Sequence, residues 1–162
     1  MKLLRTIRFD QSDDNVYETA AAPDEWAVSG AFAFADLPPE AVKGKVKQAF
    51  ANGFLGLASF GRSTFAVVSE IEADELEEVE RVLARHFVER YGAPGIDAAL
   101  PASREELAFV RDLCEGSLVN TVFTVRRLFD ARGQIKEEFR KIKAPSGQPL
   151  HTRIWSVVED DG

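Results

Sequence analysis

Gly61-Arg62-Ser63-Thr64 packs a guanidinium, two hydroxyls and several backbone N–H groups into one short turn. Donors of this kind hold a phosphate or a carboxylate. A phosphate-cradling P-loop needs a longer glycine-rich run with Lys-Ser/Thr opening a helix, whereas strand patterning resumes here at Phe65. The stretch therefore reads first as a structural hairpin turn with a solvent-exposed Arg62, and second as an anion loop of Arg62, Ser63 and Thr64. A second constellation lies near the C-terminus, where His151, Arg153 and Trp155 fall on one face of a predicted strand by period two. An arginine beside an indole and an imidazole can stack on and hydrogen-bond an anionic or aromatic ligand. If that face is the core, Trp155 is packing and the polar pair is its rim.

Other reactive types are sparse. His86 sits one residue before Phe87 on a predicted helix, and Glu89 is the carboxylate within reach to orient it. General acid–base work requires such an orienting partner; otherwise His86 is an edge histidine near a negative helix end. The single cysteine, Cys114, falls on the apolar side of a helix, where a thiol behaves as a small hydrophobe. With one Cys and two His far apart in sequence, no zinc-type spacing exists, so neither a metal, a cofactor nor a catalytic residue is expected.

Charge is uneven. Residues 119–155 carry Arg126, Arg127, Arg132, Lys136, Arg140, Lys141, Lys143 and Arg153 against Asp130, Glu137 and Glu138, a balance of +5 in a chain of net charge −7. The basic surface expected of this hairpin is Arg126, Arg132, Lys136, Arg140 and Lys143. It is the one place for nucleic acid, yet exposed aromatics other than Phe129 and Phe139 are missing and the remaining surface repels phosphate. The plainer reading is a lysine-rich hairpin whose charges blunt edge pairing.

Hydrophobic periodicity supplies the elements. Leu3, Ile7 and Phe9 alternate as a strand, and the composition of residues 10–24 predicts a mobile acidic loop. Trp26, Val28, Gly30, Phe32 and Phe34 predict one long strand. A helix enters at Asp36-Leu37-Pro38-Pro39 and closes at Asn52-Gly53 through a left-handed cap. Strands Phe54–Phe60 and Thr64–Ile71 pair about the Arg62 turn. A second helix starts at Asp74 with a capping box to Glu77 and ends at Gly92, and a third starts at Ser103 with a box to Glu106. Strands Val119–Phe129, Gln134–Ile142 and Leu150–Val158 follow, with a frayed acidic tail at 159–162.

A chain of 162 residues with 45% hydrophobic and 29% charged residues has the make-up of one globular domain. Too few helices separate the strands for a doubly wound parallel sheet, so the fold class is α+β, a mainly antiparallel sheet covered by about three helices. No apolar run spans a bilayer and the N-terminus lacks a secretory pattern, so a cytoplasmic protein without a membrane partner is expected.

Asp24-Glu25-Trp26, Val28–Asp36, Gly44–Phe65 and His86–Pro94 together resemble an uncharacterised bacterial family of short proteins catalogued only as a domain of unknown function. The resemblance covers most of residues 1–115. It implies an accessory role in assembling a redox metalloenzyme, because members sit among genes for molybdenum-dependent enzymes, and it assigns no residue a function. The expectation is a non-catalytic binding or accessory protein acting through protein contacts, as monomer or homodimer. The alternatives are an anion or small-molecule binder, or an enzyme, with a pocket near His151, Arg153 and Trp155, and a nucleic-acid binder through the 126–143 hairpin.

Overall fold

Strand alternation at both ends of the chain builds one antiparallel sheet in the computed structural model, which describes residues 1–143 and 156–159. Its strands are β1 (Lys2–Ile7), β2 (Trp26–Val28), β3 (Phe54–Gly56), β4 (Arg62–Ser63), β5 (Phe65–Glu70), β6 (Val122–Phe129), β7 (Ile135–Lys143) and β8 (Ser156–Glu159), in the order β4-β3-β2-β1-β5-β6-β7-β8. Among the described residues four α-helices accompany it: α1 (Ser12–Val16), α2 (Lys45–Asn52), α3 (Ala73–Tyr91) and α4 (Ile96–Glu115). The α+β class read from the sequence is the class observed.

β1 is central. Leu3, Leu4 and Thr6 are all fully buried, so both faces of this strand are covered. Leu4 lies opposite Ala27 on one side and Val68 on the other, and Ala66 opposite Phe123, which carries one apolar face across four strands. Ala99, Leu107, Val110 and Cys114 of α4 and Leu76, Val79, Leu83 and Phe87 of α3 join the same cluster. Phe109 of α4 meets Phe139 of β7 at 5.6 Å between ring centroids, so α4 reaches across to the C-terminal strands.

Several boundaries differ from the sequence reading, each for a physical reason. The strand expected through Phe34 stops at Val28, because Gly30 turns left-handed (φ +79°) and a 3-10 turn, Ala31–Phe34, follows. The helix expected from the prolines divides into a 3-10 turn, Pro39–Ala41, and α2, separated by Gly44 at positive φ. Gly53 is extended at φ −96°, not left-handed; it is needed for close approach, since a Cβ there would stand 2.9 Å from the Ala49 carbonyl oxygen and 3.0 Å from Arg62 Cβ. The α3 capping box is Glu72 with Glu75, two residues before the expected pair. Ser103 does not cap a helix: α4 already runs from Ile96 through Pro101, and the Ser103 hydroxyl donates to the Glu80 carbonyl at 2.7 Å, tying α4 to α3. The acidic segment 10–24 contains α1 and buries Asp13 and Tyr17.

The Arg62 hairpin is also rearranged. β4 pairs back on β3, with Leu55 opposite Arg62, while β5 leaves that pair and joins β1 on its far side. The turn is Leu57–Phe60, and Glu25 holds it from beneath: its carboxylate accepts the backbone N–H of Ala58 (2.9 Å) and Ser59 (2.7 Å), the Ser59 hydroxyl (2.7 Å) and the Ala22 N–H (2.7 Å). Burial alone would raise the Glu25 pKa, but these hydrogen bonds together hold it below its ordinary value.

One side chain joins the two halves of the sheet. Arg127, 1% exposed, lies directly opposite Glu137 in the β6–β7 pair and donates Nε to it at 2.9 Å. Its Nη1 donates to the carbonyls of Phe50 (2.8 Å), Gly53 (2.9 Å) and Ala49 (3.3 Å) at the C-terminal end of α2. Its Nη2 reaches the Ser29 carbonyl and hydroxyl, and the Ser29 hydroxyl in turn donates to Glu137. Helix C-termini leave such carbonyls unpaired and carry the negative end of the dipole, so a cation is the favoured partner.

Arg127→Met leaves the Glu137 carboxylate and four backbone carbonyls without this donor, and breaking a buried pair of this kind costs about 3–5 kcal/mol. Urea denaturation should show a loss of that size. The double variant Arg127→Met, Glu137→Met should recover part of it, because the stranded carboxylate is gone.

Candidate functional site

Arg62 does not project into solvent from a turn. It is 7% exposed and runs inward, with Nη1 donating to the Gly53 carbonyl at 3.2 Å and Nη2 to the Gly30 carbonyl at 3.1 Å. The guanidinium carbon stands 4.8 Å over the Phe34 ring. Gly30 makes the room: a Cβ on it would be 2.5 Å from Arg62 Nη1 and 2.6 Å from Leu55 Cβ. The expected exposed Arg62 is thus corrected by an acceptor pair that is backbone and therefore has no signature in residue types.

Among the described residues no carboxylate balances this cation. Burial first, and then the neighbouring Arg127, push its pKa down to about 9, while Tyr91 and Tyr17 act weakly in the opposite sense. Arg62 remains charged at neutral pH. It lines a cleft of about 560 Å³, together with Ser59, Phe60, His86, Arg90 and Tyr91. A smaller hollow of about 200 Å³, walled by Tyr17, Phe34 and Lys45, shares Phe60 and Arg62 with it.

His86 and Arg90 are one turn apart on α3 and both face this cleft. The imidazole stacks on Phe60, ring centroids 3.8 Å apart and planes 7° from parallel, with Tyr91 edge-on at 5.4 Å. Phe60 holds a left-handed backbone (φ +56°), a conformation that costs a non-glycine residue about 1–2 kcal/mol. The His86 pKa lies below its ordinary 6.5 because of burial, with Arg90 and Arg62 adding to the effect and Glu89 opposing it. Among the described residues no hydrogen bond joins Glu89 to His86, so the orienting partner that the sequence offered is not used.

Ser63 and Thr64 do not converge on the cleft with Arg62. The Ser63 hydroxyl donates to the Phe65 carbonyl at 2.7 Å, and Thr64 takes the buried Asp13 carboxylate through its hydroxyl (2.8 Å) and N–H (3.2 Å), with the Tyr17 hydroxyl at 2.8 Å. His151, Arg153 and Trp155 lie outside the described residues. Arg126, Arg132 and Lys136 are exposed on the β6–β7 hairpin as expected, but Glu138 sits opposite Arg126 and pairs with Arg140 at 3.1 Å, which dilutes the basic face. Lys143 ends β7. Cys114 is fully buried and its thiol is pushed up to about 12 by burial. Among the described residues no three His, Cys, Asp or Glu side chains gather as a metal site, and no helix is long and apolar enough to cross a membrane.

Sequence reasoning missed Arg90 and offered Glu89 as the partner of His86. The i, i+4 spacing on one helix was the available signal; that Phe60 closes over His86 depends on the tertiary fold.

Because the unfolded chain protonates His86 at a higher pH than the folded one, its contribution to stability is full above pH 6.5 and falls as pH drops through the lower folded value. His86→Phe keeps a ring on Phe60 and should remove that component. The check is the difference in urea midpoint between wild type and variant at about pH 7.5 and about pH 5; it should change between the two.

A model described as a family of unknown function, DUF6505, matches residues 1–155, and the chain belongs to that family. No curated protein and no solved structure matches it.

Proposed function

We propose that this member of the DUF6505 family is a non-catalytic binding protein whose Arg62–His86 cleft takes a small anionic ligand with a planar apolar part. One observation carries the reading: Arg62 is a buried cation whose guanidinium, among the described residues, is hydrogen-bonded only to the Gly30 and Gly53 carbonyls and is neighboured by a second cation, Arg127. A buried charge is costly unless an opposite charge or a metal accompanies it. An anion in the adjoining cleft supplies that countercharge, with Arg90 at the rim as a second donor.

The rings of Phe60 and Tyr91 give the remainder of the ligand an apolar wall, and a cleft of about 560 Å³ suits a small metabolite. Two features favour binding over catalysis. His86 has a ring stacked on it rather than a carboxylate behind it, and the only thiol is buried and held protonated. This reading takes up the anion or small-molecule alternative rather than the expected accessory protein acting through protein contacts, and moves the pocket from His151, Arg153 and Trp155 to the Arg62 cleft.

Calorimetric titration with inorganic phosphate and with phenyl phosphate tests this. Both should bind at low ionic strength, phenyl phosphate more tightly, and added salt should weaken both. Arg90→Glu, a change at an exposed position, should weaken binding roughly ten- to hundredfold, the scale of a charge-assisted hydrogen bond. The reading fails if neither probe binds, or if Arg90→Glu binds as the wild type does.

A further inference from the structure

Tyr91 has a second cleft on it. Phe32, Phe87 and Tyr91 form an edge-to-face cluster, with centroid separations of 4.9 Å (Phe32–Phe87), 5.3 Å (Phe32–Tyr91) and 6.2 Å (Phe87–Tyr91). These rings wall one side of a cleft of about 350 Å³ between α3 and α4. Its other side is α4, where Ala98, Ala99 and Ala102 leave the space that larger side chains would fill. Glu106, one turn beyond Ala102, brings a carboxylate into this apolar surface.

That carboxylate is half-buried and, among the described residues, is engaged by no hydrogen bond or ion pair. The charges that act on it are Glu137 and Glu105, both of its own sign; together with burial, the largest cause, they hold its pKa above the usual carboxylate value. Glu137 is itself committed to Arg127 and Ser29. The local field at the mouth of this cleft is therefore negative, opposite to that of the Arg62 cleft.

We propose that this cleft is a binding site for an organic cation, an amine whose ammonium pairs with Glu106 while its apolar body lies against Phe32 and Tyr91. An ammonium satisfies a lone carboxylate and is further attracted to aromatic faces. A metal ion does not suit the same place, because calcium or magnesium takes six or more oxygen ligands and one carboxylate surrounded by alanines and rings supplies at most two. The site is separate from the proposed anion site, sharing only the Tyr91 ring with it.

The test is an NMR titration of the ¹⁵N-labelled full chain with benzylamine, benzyl alcohol and benzoate. Benzylamine should shift the Gly92, Ala98 and Ala102 amides to saturation, benzyl alcohol should bind about tenfold more weakly, and benzoate should leave these amides unmoved. Glu106→Gln should abolish the preference for the amine over the alcohol. Ala102→Leu, at an exposed helical position, fills the cleft and should weaken both while the remaining spectrum stays folded. Absence of a saturable shift at these amides overturns the proposal, as does an amine preference that survives Glu106→Gln. Arg90→Glu should leave the benzylamine response unchanged; a response abolished by it would place the amine in the other cleft and equally overturn the assignment.

Discussion

Two guanidinium groups meet on the carbonyl oxygen of Gly53, Arg127 at 2.9 Å and Arg62 at 3.2 Å, and most of the architecture is fixed by that meeting. Arg127 comes from β6 and Arg62 from β4, with four strands between them in the sheet. Between them they collect the carbonyls at the end of α2 and those of Ser29 and Gly30 at the end of β2. These are the groups that a helix end and an interrupted strand leave without partners, and burying them unpaired would cost about 1–3 kcal/mol each. The short α2, the early end of β2 and the glycines at 30 and 53 are therefore parts of one arrangement.

The arrangement is not electrically symmetrical. Arg127 has Glu137 opposite it in the neighbouring strand, so its charge is matched within the hairpin. Arg62 has backbone dipoles and a phenylalanine face. Both side chains are structural in the sense that they hold carbonyls, but only one leaves a surplus of charge, and that one borders a cleft. On the proposed reading, this difference makes Arg127 part of the scaffold and Arg62 part of the site.

Legibility in the sequence followed the range of the interactions. The fold class and the alternation of β6 depend on local periodicity, and they are observed; the apolar stripes of α3 and α4 hold at Leu76, Val79, Leu83 and Phe87 and at Leu107, Val110 and Cys114, while Tyr91 and Leu118, which continue them in the sequence, are exposed. The hairpin partner of β3 was misplaced because pairing with β4 rather than β5 is decided by β1, fifty residues earlier, which takes β5 for itself. Arg62 was read as exposed because its acceptors are carbonyls, which every residue has. Ser103 was read as marking a helix start, whereas it binds across to Glu80 and α4 begins earlier, running through Pro101 at the loss of only the bond to Asp97. Glu25 drew no attention as an acid beside a tryptophan, yet it fixes the turn that carries Phe60.

Phe60 gives the cleft its sharpest argument. A tight turn between paired strands favours Gly or Asn at a left-handed position, and neither would cost the turn anything. A phenylalanine stands there instead, in a turn that Glu25 fastens with hydrogen bonds from Ala58 and Ser59. What the strained residue provides is its ring, laid flat on His86 at the opening beside Arg62. Core packing alone does not explain the choice, because Phe60 remains only partly buried. Strain of this kind persists where the surroundings over-determine a conformation, and it concentrates at ligand clamps. The turn that the sequence presents as an arginine loop is better understood as the support for an aromatic wall, with the arginine behind it supplying the charge.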